Sequence, residues 1–305
     1  MIIGHKKIQD FFKKAIENDK LAHAYCFSGI ESLGKKALAL ELAAEFLETT
    51  VDKLEKNADF VLLGRVIDQK TEKMKKEISI EQVRELKSFL QNFSWGKVGR
   101  KIVVINEAEK LSLGASNSLL KLLEEPGQGV HFFLITTNSD LLLETIKSRC
   151  QTFYFSVVGK EELLTGLVNQ GFNKEGLAEA TDLSCGVPGT AIKILKDESC
   201  KREFLEKQQQ FGLIVNGEIQ RRFQIAEELV KRGKETGEAE VDIEADMDSW
   251  IRESRKVIIN ALVSGSQAEV KKNFKFIDLA LQAKKHLKQN VNQKLILENI
   301  FLNIN

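Results

Sequence analysis

Ala24-Tyr25-Cys26-Phe27-Ser28-Gly29-Ile30-Glu31-Ser32-Leu33-Gly34-Lys35-Lys36 joins a short apolar run to a loop bounded by two glycines and a pair of lysines. The run reads as a buried strand. The Ala- and Leu-rich residues that follow read as a helix over 35–47. Strand, glycine loop and helix in this order begin a P-loop α/β unit. Working outward, four more apolar runs lie at 60–63, 102–105, 132–135 and 152–155, which suits a parallel sheet covered on both faces. Helical patterns lie between them at 80–90, 114–123 and 141–147, and an amphipathic helix at 11–18 precedes the first strand. The alternation predicts a doubly wound α/β domain over 1–156. Three short helices at 161–169, 174–183 and 188–195 predict a small helical lid over 157–200. The remainder, 201–305, reads as an all-α domain. Residues 233–246 are acidic, contain Gly233 and Gly237 and lack a clear apolar face, so a flexible loop is expected there.

Composition bounds the rest. The chain has 305 residues, 43% of them hydrophobic, which argues for a packed core and against disorder. Its 45 Lys and Arg nearly cancel 44 Asp and Glu, so no global basic field favours stand-alone DNA binding. No apolar run is long enough for a membrane helix, and the charged amphipathic start does not read as a signal peptide. Cys26, Cys150, Cys185 and Cys200 are scattered, which suits a reducing cytoplasm and no disulfide framework. His5, His23, His131 and His286 show no metal-ligand spacing. The lysines at 271, 272, 275, 284, 285 and 288 read as a solvated helix face.

The loop matches G-x-x-x-x-G-K-[ST] at Gly29, Gly34 and Lys35. Glycines there let backbone N–H groups wrap a phosphate, and Lys35 is placed to reach the terminal phosphates. The fourth position is Lys36, and an ammonium cannot ligate magnesium. The strand at 102–105 is followed by Asn106-Glu107-Ala108-Glu109, so the acid expected to help hold the metal is replaced by Asn106. Glu107 is a candidate to orient a water. Thr137, with Asn138 at a strand tip, is a candidate to sense a γ-phosphate. Two readings of the loop stay open: a phosphate cradle, or a tight strand-to-helix turn. Ser148-Arg149-Cys150 lies between a helix and a strand. Arg149 there is either a cap or surface residue, or a finger that points out of the subunit toward a neighbour's triphosphate.

Ile2-Ile3-Gly4-His5, the 21–29 stretch Leu-Ala-His-Ala-Tyr-Cys-Phe-Ser-Gly and the 117–126 stretch Asn-Ser-Leu-Leu-Lys-Leu-Leu-Glu-Glu-Pro carry a family likeness. Thr136-Thr137-Asn138 and Ser148-Arg149-Cys150 extend it. Together, over 1–195, they resemble the AAA+ clamp-loader family of bacterial DNA polymerase III, and within it the delta prime type. The resemblance implies an AAA+ domain, a helical lid and a helical collar that joins a five-subunit ring with gamma/tau and delta. Such a ring loads a sliding clamp on primed DNA, as a component of the DNA-directed DNA polymerase III holoenzyme, a nucleotidyltransferase. It implies an arginine finger at Arg149 and no ATP hydrolysis by the chain itself. Two departures stand out. The usual four-cysteine zinc module is replaced by the cysteine-free stretch 48–57, so no zinc is expected. The nucleotide-sensing arginine of ATPase relatives aligns with Gly189. The alternative is a working ATPase of gamma/tau type, which Lys36, Asn106 and the missing C-terminal extension oppose.

Overall fold

The computed structural model describes residues 2–18, 20–68, 72–91, 99–173, 175–236, 239–287 and 291–304. The chain divides into two compact units, Met1–Lys174 with Gly186–Thr190, and Glu175–Cys185 with Ala191–Asn305.

The first unit opens with α1 (Lys6–Glu17), β1 (Ala24–Ser28), α2 (Lys35–Phe46), β2 (Phe60–Leu63), α3 (Ile80–Gln91) and β3 (Lys101–Ile105). It continues through α4 (Leu113–Glu124), β4 (Val130–Thr136), α5 (Glu144–Lys147), β5 (Gln151–Tyr154) and α6 (Lys160–Asn169). All five strands are parallel, in the order β2-β3-β4-β1-β5. Every residue of β1, β3 and β4 is buried, as near-continuous apolar strands in a two-sided sheet must be. The side chains alternate between two cores. Tyr25, Phe27, Ile102, Val104, Phe133 and Ile135 pack under α1 and α2 with Phe12, Leu38 and Leu42. Ala24, Cys26, Val103, Ile105, Phe132 and Leu134 pack under α3 and α4 with Val83, Leu86, Leu119 and Leu123. The first layer is rich in aromatics. The Phe12 ring meets Tyr25 edge-on at 4.8 Å, and Tyr25 stacks on Phe133 at 5.4 Å.

Several of the expected elements shift: the helix expected at 11–18 runs over Lys6–Glu17, and the helix expected at 174–183 runs over Leu177–Ser184. The helix expected at 141–147 is a 3₁₀ turn at Ser139–Leu141 followed by the single turn of α5. The edge strand begins one residue early, because Gln151 pairs with Tyr25. A 3₁₀ helix, Val51–Lys56, lies within the cysteine-free stretch 48–57.

The second unit is built from α7 (Leu177–Ser184), most of α8 (Pro188–Lys196), α9 (Glu198–Asn216), α10 (Ile219–Thr236), α11 (Ala239–Ser264), α12 (Gln267–Leu287) and α13 (Gln293–Asn303). Trp250, Phe276, Phe301, Met247 and Leu297 form the centre of its core. Arg222 is buried and donates to the carbonyls of Gly217, Val215 and Phe301.

The flexible loop expected over 233–246 is not observed. The helix α10 runs to Thr236, α11 starts at Ala239, and Gly237 and Glu238 lie outside the described residues. The reason is a spaced apolar face. Ile243, Met247 and Trp250 are fully buried and stand at helical intervals. The acidic Asp246 is buried too, paired with Arg232 and with Lys207 at 3.8 Å. Lys284, read from sequence as solvated, bonds Asp248 at 2.6 Å, and Lys288 lies outside the described residues. Among the described residues no helix is long and apolar enough to cross a membrane.

Candidate functional site

The carboxyl ends of parallel strands are where an open α/β sheet places its ligands. Here β1, β3 and β4 deliver the glycine loop, Glu107 and Thr137 to that edge. At Gly29 the backbone has φ +151, and an added Cβ would lie 2.5 Å from the Phe155 carbonyl oxygen. Only glycine fits, with or without a phosphate. Gly34, at φ +93, is the left-handed N-cap of α2.

The loop's carbonyls are taken up inside the protein. Lys35 is 6% exposed, and its ammonium turns back to donate to the Gly29 carbonyl and, at 2.5 Å, to the Ile30 carbonyl. The Ser32 carbonyl accepts from the Gly189 backbone N–H at 2.8 Å. The Leu33 carbonyl lies 3.2 Å from His5 Nε2, which must be the protonated nitrogen to bond it. The His5 ring also rests on Phe155 at 4.6 Å. Burial lowers the Lys35 pKa to about 8, against the pull of Glu109 and Glu31. Burial also lowers that of His5. Lys36 is exposed on the first turn of α2.

The acids are also engaged. Glu107, itself left-handed at φ 55, receives both arms of Arg65, Nη2 at 2.6 Å and Nε at 3.1 Å. Such a fork is the strong form of an arginine–carboxylate pair. Glu109 Oε1 accepts from the Thr137 N–H at 3.1 Å and its hydroxyl at 2.7 Å. Thr137 is thereby fixed to an acid rather than left open. Asn138 instead organises the turn after β4, accepting from the Asp140 N–H at 3.0 Å.

Arg149 belongs to a different place. It follows the single turn of α5, and its side chain is 34% exposed. Nη1 donates to the Thr145 carbonyl at 2.8 Å, and Nη2 meets Glu124 Oε1, on the last residue of α4, at 2.8 Å. The structure therefore joins Gly29, Gly34 and Lys35 in one loop, sets Glu107 and Thr137 at neighbouring strand ends, and holds Arg149 at the surface. Sequence reasoning missed Arg65, His5 and Glu124 as partners, and it missed the bond of Glu109 to Thr137. Arg65 and Glu107 are 42 positions apart, and neither carries a motif that announces the other.

A parallel sheet with a glycine loop between its first strand and the next helix, in a chain that also carries a helical unit, defines a P-loop α/β protein. The family model described as "DNA polymerase III, delta subunit" matches residues 4–159. The chain belongs to that clamp-loader family. It is 31% identical over 196 residues to DNA polymerase III subunit delta' of Bacillus subtilis, covering 58% of each chain. It is 34% identical over 184 residues to the delta' subunit of Pseudomonas aeruginosa, covering 57% of this chain and 56% of that one. It is also 29% identical over 217 residues to the gamma subunit of Buchnera aphidicola, covering 64% and 56%. The chain thus spans 56–58% of the length of these relatives. A gamma subunit-related protein of Thermotoga maritima shares the fold, with a TM-score of 0.50 at 21% identity over 95% of this chain and 97% of that one.

Proposed function

We propose that this chain is a clamp-loader subunit of delta prime type. It takes its place in a ring with gamma/tau and delta subunits, hydrolyses no ATP itself, and lends Arg149 to a neighbour's ATP. The observation that carries the reading is Lys35, whose ammonium bonds Gly29 and Ile30 of its own loop instead of facing a triphosphate. Three further features support it. Lys36 stands where a magnesium-binding hydroxyl is needed. Glu107 is held by Arg65. Gly189 offers only a backbone N–H, and to Ser32. These residues do not fit a magnesium nucleotide, and the reading requires neither a nucleotide in cis nor zinc. Arg149, by contrast, keeps a guanidinium at the surface just after the single turn of α5.

The test is reconstitution with gamma/tau, delta, clamp and primed DNA. Arg149→Ala lowers hydrolysis at the one site it serves by about 10³-fold, read in single turnover. An unchanged clamp-stimulated rate refutes the finger. The kinship to gamma and tau sequences keeps a second reading, an active ATPase. Magnesium-dependent turnover by the isolated chain establishes that reading and overturns ours.

A further inference from the structure

We infer that Glu124 is a positioning residue that holds the Arg149 finger back until a neighbour presents a triphosphate; this rests on the finger reading above. The guanidinium is held at two points of different kind. The Thr145 carbonyl, one turn back on α5, takes Nη1 at 2.8 Å and acts as a fixed pivot. Glu124 Oε1, from the end of α4, takes the outer nitrogen Nη2 at 2.8 Å. The pivot is neutral backbone and is compatible with an incoming anion. The carboxylate is not: it cancels the charge the finger needs, and it repels a γ-phosphate from the same nitrogen.

The hold is weak enough to release. The Arg149 side chain is 34% exposed and that of Glu124 50% exposed. A solvated pair of this kind biases its occupants by only about two- to five-fold. A triphosphate offers more acceptor oxygens and more charge, so Arg149 exchanges Glu124 for phosphate by rotating about the Thr145 bond. No other acid is paired with Arg149 among the described residues. The Ser148 hydroxyl, at 3.4 Å from Nη1, adds at most a neutral contact on the pivot side. The positioning role therefore falls to Glu124.

The experiment compares wild type, Glu124→Gln, Arg149→Ala and the double variant in the reconstituted ring, each with and without clamp and primed DNA. Glutamine keeps the size and one acceptor oxygen, removes the charge and puts an amide NH₂ in place of the other oxygen. Glu124→Gln is expected to raise the unstimulated kcat about two- to five-fold with KM for ATP unchanged. The stimulated kcat stays near wild type, so the stimulation ratio falls. The excess shrinks as salt rises, because the charge it reports is solvated. In the Arg149→Ala background the substitution changes nothing. An unstimulated rate that is unchanged or lowered by Glu124→Gln, while Arg149→Ala lowers single-turnover hydrolysis at the site it serves, overturns this inference and leaves the finger standing. The same increase in the Arg149→Ala background overturns it too, since the carboxylate then acts elsewhere. Full activity of Arg149→Ala refutes the finger and this inference together.

Discussion

Lys35→Met tests whether Lys35 is buried in its own loop or open to solvent and phosphate. The folded protein holds Lys35 with a pKa of about 8, while the unfolded chain returns it to 10.5. Below about pH 8 both states carry the proton, and the folded state bears the full desolvation of a buried ammonium. Between about pH 8 and 10.5 the folded state releases the proton and the unfolded state keeps it. The unfolded state then binds more protons, so stability rises with pH. The slope approaches about 1.4 kcal/mol per pH unit, and the interval contributes about 3 kcal/mol. Methionine keeps the length and removes the titration. Thiols titrate nearby: buried Cys26 and half-buried Cys150 and Cys185 are raised by desolvation to about 11, 12 and 11, and they cost stability at high pH. They are common to both proteins and cancel in the difference. Urea unfolding of wild type and variant across this range is therefore expected to give curves that diverge in favour of wild type as pH rises. Parallel curves refute the buried ammonium, and with it the main support for a silent P-loop.

Two further substitutions test the packing that the functional reading relies on. Gly189→Arg supplies the residue type of an ATPase relative, but its Cβ would sit 2.8 Å from the Ser32 carbonyl oxygen and 3.0 Å from Ser32 Cβ. Thermal unfolding should show a loss of about 2 kcal/mol with no ATP turnover gained; a stable variant that hydrolyses ATP contradicts the described loop contact. Arg222→Met removes the donor from three backbone carbonyls in the helical unit. Chemical denaturation should register a loss of about 3 kcal/mol or more, and a neutral outcome shows that the guanidinium is not buried as described.

Much of the sheet is legible because its strands are simple. Interior positions of β1, β3 and β4, His131 apart, are apolar on both faces, so each run stands out against charged helices. The phosphate-loop glycines are legible because few other residues suit such turns. What sequence hides is pairing across distance. Nothing near Glu107 marks Arg65 as its partner, and nothing near Ser32 marks Gly189. The stretch 233–246 misleads for a related reason. Asp246 looks like a solvent residue and interrupts the apolar face of Ile243, Met247 and Trp250. Once Arg232 neutralises it, the face is continuous and the helix is ordinary. Arg149 is legible as a motif but not as a held group, because its restraint comes from the end of another helix.

Gly29 has a consequence for how such chains are recognised. The Phe155 oxygen forbids any larger residue there, whether or not a nucleotide ever arrives. Folding alone is enough to keep glycine at this one position of the signature. A glycine at this position therefore reports architecture, and by itself says nothing about turnover.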